Sequence, residues 1–267
     1  MTMKGGTSES CEARSGGSLF PGSFSYEGTT GRICRNSPEI MRVGNNAVHV
    51  WKGLLDVDNE TIKRFFTVLS EQEKQRSSRF HLAHHGRRYI AAHGMLRSIL
   101  GEYLEIDPKA LTFSVNHYGK PYLCSDQKNI SVLFNLSHSH NLCIIAVSSG
   151  LEIGIDIEYV NRDIDVLEIA DRCFSRREIE KLGSLRGDLQ RRAFYRCWTR
   201  KEAYLKGKGK GLSMDLRRFE VSMLPAESAA IVSSDDSPED VGRWRLFDIE
   251  PYPRYIGALA VAGDPAV

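Results

Sequence analysis

The sequence predicts an α+β chain of two similar lobes, related by a pseudo-two-fold duplication, each a small antiparallel sheet packed with helices. Three observations carry that expectation. The order of elements across residues 46–150 recurs across 151–264; an S-x-x-E capping box opens a helix in each half, at Ser70–Glu73 and Ser175–Glu178; and Asp107 and Asp215 each precede the same alternating apolar pattern. A shift of 105 carries Val48 and Val50 onto Ile153 and Ile155 and Ser70 onto Ser175. A shift of 108 carries Asp107, Leu111, Phe113 and Val115 onto Asp215, Phe219, Val221 and Met223, and one of 114 carries Ala146-Val147 onto Ala260-Val261. A ligand is expected in the crevice between the lobes.

At 267 residues and 41% apolar, the chain can bury one large core or two modest ones. The formal charge of +2 argues for no particular partner. The six cysteines form no C-x-x-C pair, and Cys143 and Cys197 sit in apolar or aromatic surroundings, as reduced packing residues do. There is no basic-then-apolar leader and no apolar run near spanning length, so a cytoplasmic protein is expected. Residues 1–45 hold eight Gly and seven Ser with no sustained apolar period, which predicts a disordered leader and makes Met41 a candidate translation start.

Val48-His49-Val50-Trp51 alternates as a strand does. Ser70–Glu73 then starts a basic helix, and a second helix is predicted over roughly 84–105 from the spacing of Ile90, Met95, Leu96, Ile99 and Leu100. Asp107-Pro108 is a turn, Leu111, Phe113 and Val115 alternate as a strand, and His117–Pro121 is turn chemistry. Val132–Phe134 and Leu142–Val147 read as strands joined through Ser137-His138-Ser139-His140.

The second half opens on Gly154-Ile155-Asp156-Ile157-Glu158. On a strand Asp156 and Glu158 share one face while Ile153, Ile155 and Ile157 take the other. Carboxylates roughly 6–7 Å apart repel by about 2–3 kcal/mol at an effective dielectric near 20. Good solvation, neighbouring cations or a metal would relieve that, and oxygen-only ligands suit Mg²⁺. Further on, Trp198, Glu202 and Lys206 fall on one helix face at i, i+4, i+8. A Trp draws that face toward protein, which makes Glu202 a third carboxylate for the metal and sets Lys206 for a phosphate oxygen.

Nine Lys or Arg lie between Arg186 and Lys210 against two acids, a positive surface for a polyphosphate or an acidic protein. Lys206–Gly211 alternates Lys and Gly but follows a helix, so it is expected to be a mobile helix exit before it is a ligand contact. His81, His84 and His85 lie among arginines and read as an exposed basic face rather than a zinc site. His138 reads as a turn residue with a phosphate contact as the sharper alternative. No G-x-S-x-G or Cys/His pattern supports covalent catalysis.

Gly154–Glu158 with Trp198–Lys206 resembles the paired signature of the 4′-phosphopantetheinyl transferases of the two-lobed monomeric type. Phe174–Glu178, Tyr118–Pro121 and Phe134–Ser139 are similar to further motifs of that family, in the same order. The resemblance implies transfer of the phosphopantetheine arm of coenzyme A to a serine of an apo acyl or peptidyl carrier protein, releasing adenosine 3′,5′-bisphosphate. It implies that Asp156, Glu158 and Glu202 hold Mg²⁺ on the coenzyme A pyrophosphate, with Lys206 steadying it. Arg76, Ser137 and His138 match positions for the coenzyme, His138 and Arg76 near the 3′-phosphate, and Lys120 and Pro121 match positions by the adenine. Where relatives carry a second basic residue three before Arg76 this chain has Glu73, so Arg88 or His85 is expected to compensate.

Phosphoryl-type transfer needs positioning and charge neutralisation more than covalent help. Removal of the serine proton falls to Glu202 or to a metal-bound water acting through it. The carrier is expected to dock on the basic second lobe of a monomer, with neither nucleic acid nor membrane as a partner. Two rivals use the same residues, a Mg²⁺-dependent nuclease and a basic nucleic-acid-binding protein. The helical spacing of Glu202 and Lys206 counts against the first, and the near-neutral charge against the second.

Overall fold

A computed structural model describes residues 43, 47–124 and 132–263, together with a short antiparallel pair, β1 (Ser25–Glu27) and β2 (Arg32–Cys34). The rest of the leader expected to be disordered, with Met41, lies outside the described residues. No helix among them is long and apolar enough to cross a membrane.

The first half runs β3 (Val48–Leu54), α1 (Asn59–Val68), α2 (Glu71–Ser78), α3 (Ala83–Leu104), β4 (Phe113–Val115), β5 (Pro121–Leu123), β6 (Val132–Ser139) and β7 (Leu142–Ser149). The second runs β8 (Ile153–Tyr159), α4 (Val166–Cys173), α5 (Arg176–Ser184), α6 (Gly187–Lys208), β9 (Phe219–Val221), β10 (Ile231–Ser234), β11 (Trp244–Ile249) and β12 (Tyr255–Ala262). Each half builds one antiparallel three-stranded sheet, β3-β7-β6 and β8-β12-β11, and one helix of 22 residues behind it. The predicted duplication is therefore visible strand for strand.

Two boundaries differ from the sequence expectation. Leu142 pairs with Leu54 and Tyr255 with Tyr159, so the closing strands are related by 113 residues rather than 114. A slip of one would exchange the two faces of the strand, and the pairing settles it. β6 also continues through Ser139, so the turn is made at His140, whose φ is 54°, and His138 lies within the strand rather than in the turn.

Three apolar clusters result. Leu96, Ile99 and Leu100 of α3 pack on Phe134, Cys143, Ile145 and Val147, and Phe194, Tyr204 and Leu205 of α6 pack on Trp244, Ile256, Ala258 and Ala260. The third cluster joins the two sheets: Val48, Leu142, Ile144 and Ala146 meet Ile153, Ile155, Ile157, Leu259 and Val261. β7 is thus buried on both faces, which is why it reads as a continuous apolar run.

Both capping boxes form, and in each the glutamate does more than cap. Glu73 takes the buried Arg97 guanidinium at 2.7 Å, and Arg97 also donates to the carbonyls of Pro108 and Leu111. Glu178 takes the buried Lys201 ammonium at 2.8 Å, and Lys201 donates to the carbonyls of Leu216 and Phe219. Each strut ties the short helix, the long helix and the chain leaving it. Glu73 is therefore a structural residue, the counterpart of Glu178.

Candidate active site

The site forms where α6 crosses β8. Gly154 and Gly207 make that crossing possible, since a Cβ on Gly154 would lie 2.1 Å from the Ala203 carbonyl oxygen and 2.2 Å from the Gly207 nitrogen. Only hydrogen side chains permit such an approach. Gly207 is pinned further by the Trp244 ring, and α6 runs on through Lys208 to a left-handed Gly209 cap. The segment expected to be a mobile exit is a packed helix end.

Ile153, Ile155 and Ile157 face the sheet interface, so Asp156 and Glu158 point to α6. Trp198, Glu202 and Lys206 form a half-buried stripe on a helix otherwise largely buried around them. The Lys206 ammonium donates to Asp156 Oδ1 at 2.6 Å and to Ser137 Oγ at 3.0 Å, and Ser137 Oγ donates to the same oxygen at 2.9 Å. Asp156 Oδ2 is buried with no hydrogen-bond partner. Ser139 Oγ donates to Glu158 Oε2 at 2.7 Å.

Burial pushes Glu158 above the usual carboxylate range, and the charges of Asp156 and Glu202 add to it, against Ser139 and Lys206. Burial likewise raises Glu202, with Asp156 next and Lys206 opposing. The three acids thus share one electrostatic environment. They do not form a closed cage: among the described residues no three of His, Cys, Asp and Glu converge as a ready metal site. Magnesium usually takes only one or two carboxylates and completes its shell with water and phosphate oxygens. The orphaned Asp156 Oδ2, with Glu158 and Glu202 beside it, fits a hard cation of that kind.

β6 closes the other side. The Asn135, Ser137 and Ser139 side chains accept from the backbone N–H groups of Ile155, Ile157 and Tyr159, at 2.7, 3.4 and 3.1 Å. Sequence reasoning missed this ladder, although N-x-S-x-S in an apolar strand is its signal. His138, between the two serines, is open to solvent on one side. Desolvation against the protein, then Lys206, His93 and Arg88, hold its pKa below the ordinary imidazole value.

The expected coenzyme contacts divide. Arg88 lies near His138 but pairs with Asp56 at 2.7 Å, and His85 is exposed against His84. Exposed Arg76 leans on the Tyr89 ring, which stacks on His93 at 4.0 Å. Pro121 is exposed at the start of β5. The Lys120 ammonium is occupied by the carbonyls of Ile153 and Gly207, both at 3.0 Å, and burial lowers its pKa to about 8. It braces β4–β5 against the α6–β8 crossing rather than projecting into open space.

The basic stretch also differs from its expectation. Arg200 is buried on Asp248 and Lys201 on Glu178, and the half-buried Lys208 pairs with Asp240 and Ser237. Arg192 and Arg196 share Glu250, and Lys206 is on Asp156. Most of the positive charge is matched within the lobe and offers little free field to a partner. His81, His84 and His85 are exposed, as a basic face requires, and Cys143 and Cys197 are buried free thiols.

Residues 152–260 match the model of the 4′-phosphopantetheinyl transferase superfamily, and residues 56–150 match that of the 4′-phosphopantetheinyl transferase N-terminal domain. The chain is 37% identical over 226 residues to the 4′-phosphopantetheinyl transferase HetI of Nostoc sp., covering 85% of this chain and 92% of HetI. It is 34% identical over 167 residues to the 4′-phosphopantetheinyl transferase Sfp of Bacillus subtilis, covering 62% and 72% of the two. It is 30% identical over 165 residues to the human L-aminoadipate-semialdehyde dehydrogenase-phosphopantetheinyl transferase, covering 59% and 53%. With a duplicated fold, an acidic strand face under a Glu/Lys helix stripe and these similarities, the chain belongs to the 4′-phosphopantetheinyl transferases, enzymes of the holo-carrier-protein synthase class.

Proposed function

We propose that the enzyme transfers 4′-phosphopantetheine from coenzyme A to a serine of an apo acyl or peptidyl carrier protein in a Mg²⁺-dependent reaction. The products are the holo carrier and adenosine 3′,5′-bisphosphate. The observation that carries this reading is Asp156: one oxygen held by Lys206 and Ser137, the other buried and unpartnered, with two further acids beside it. Asp156, Glu158 and Glu202 would hold the ion. When bound, Mg²⁺ supplies charge neutralisation on the pyrophosphate.

Lys206 reaches the same phosphates from the α6 side and stabilises the departing bisphosphate. Arg76 and Arg88 are the neighbouring cationic groups for the 3′-phosphate, His138, held toward its neutral form, serves there as a hydrogen-bond donor, and Pro121 is the exposed edge of the adenine side. The carrier serine oxygen bonds to the β-phosphorus of coenzyme A as the bond to the bisphosphate oxygen breaks. Glu202, whose pKa burial has raised, takes the serine proton. The enzyme works as a cytoplasmic monomer, with neither nucleic acid nor membrane as partner.

Mass spectrometry of an apo carrier incubated with enzyme, coenzyme A and Mg²⁺ tests this. Gain of a phosphopantetheinyl group, lost with chelator and with Asp156→Ala or Glu202→Gln, is expected. A panel of acyl and peptidyl carriers that all stay unmodified sinks the reading.

A further inference from the structure

The ladder between β6 and β8 does two jobs that differ from rung to rung. β8 pairs through its main chain with β12 on one side, and side chains of β6 accept from its N–H groups on the other. Asn135, the first rung, touches Ile155 N–H. The second and third rungs also grip acids.

Ser139 shows why the type of residue matters. A hydroxyl has a single proton and two acceptor sites. Ser139 Oγ accepts from Tyr159 N–H at 3.1 Å, which fixes the direction of its lone pairs. Its proton is then directed to Glu158 Oε2, at 2.7 Å. One carboxylate oxygen of Glu158 is thereby held by the first lobe. Ser137 follows the same logic: it accepts from Lys206 and from Ile157 N–H, and its proton goes to Asp156 Oδ1.

We propose that Ser139 is a positioning residue of the active site, which locks Glu158 in the orientation that a divalent cation requires and makes the second lobe's acidic face dependent on the first lobe's β6 strand. The proposal rests on the metal-ligand reading of Asp156 and Glu158 given above. Groups that orient ligands from behind typically change metal affinity by about 10–100-fold when removed.

The test uses the full chain with coenzyme A and follows Mn²⁺ binding by electron paramagnetic resonance, beside the kinetics of transfer. Ser139→Ala is expected to bind Mn²⁺ about tenfold more weakly, with the KM for coenzyme A at saturating metal unchanged. Ser139→Thr, which keeps the hydroxyl, restores wild-type binding. Ser139→Cys, whose thiol is a weak donor, reproduces the loss, so the test stands even where the alanine variant fails to fold. Asn135→Ala loosens the same ladder without touching an acid and leaves Mn²⁺ affinity as in the wild type. Unchanged affinity in both Ser139→Ala and Ser139→Cys, or an equal loss in Asn135→Ala, overturns the positioning role. A wild-type chain that binds no Mn²⁺ overturns the metal reading itself, a separate outcome.

Discussion

Gly154 and Gly207 meet main chain to main chain, and their contact sets how close α6 comes to β8. A methyl on either would have to displace backbone or the Trp244 ring, which cannot rotate away as a flexible side chain can.

Gly154→Ala should therefore lower the melting temperature steeply and abolish carrier modification, because Lys206 and Glu202 withdraw from Asp156. Gly183→Ala is the matched control. It lies in α5 with nothing within 4 Å of the added methyl, so it should be neutral or stabilise by up to about 1 kcal/mol. Thermal unfolding of both variants checks the pair.

Glu73→Ala should destabilise by about 3 kcal/mol, since it leaves Arg97 buried and unpaired. Burial raises the Glu73 pKa, but His93, the Ser70 cap and Arg97 outweigh it and bring it down to about 2. A carboxylate pKa lower in the folded state stabilises above its unfolded value and loses that contribution as pH falls. Urea midpoints should thus drop between about pH 4.5 and 2 in the wild type, and less in a Glu73→Gln variant.

Glu202→Gln should be inactive yet more stable than the wild type at neutral pH without metal. Its folded pKa is raised, so its ionisation destabilises the fold as pH rises through that value. The same shift, with that of Glu158, requires activity to fall on the acid side as both carboxylates take up protons. Melting temperatures with and without Mg²⁺ and a pH–rate profile measure both effects.

Lys206→Met should remove transfer activity but tighten binding of divalent cation in the absence of coenzyme A. The ammonium held at 2.6 Å from Asp156 neutralises the acid proposed as a ligand of the cation. Calorimetric titration with Mg²⁺ reads this directly, and weaker binding in the variant would contradict it.

Much of this molecule is legible in local residue patterns. The repeat of elements, both capping boxes, the D-x-E face of β8 and the Trp198/Glu202/Lys206 stripe each depend on neighbours a few residues apart, where helix and strand periods are enough. Asp156 and Glu158 had to share a face once β8 was a strand, and Glu202 and Lys206 had to share a stripe once α6 was a helix. What only the tertiary structure decided are pairings between segments distant in the chain. It turned Glu73 inward onto Arg97, drew Arg200, Lys201 and Lys208 out of the apparent basic patch, and set Lys120 on main-chain carbonyls. It also brought Ser139 under Glu158. The reason is physical: a period specifies which way a side chain points, but the partner that neutralises a buried charge is chosen by where a distant segment comes to rest.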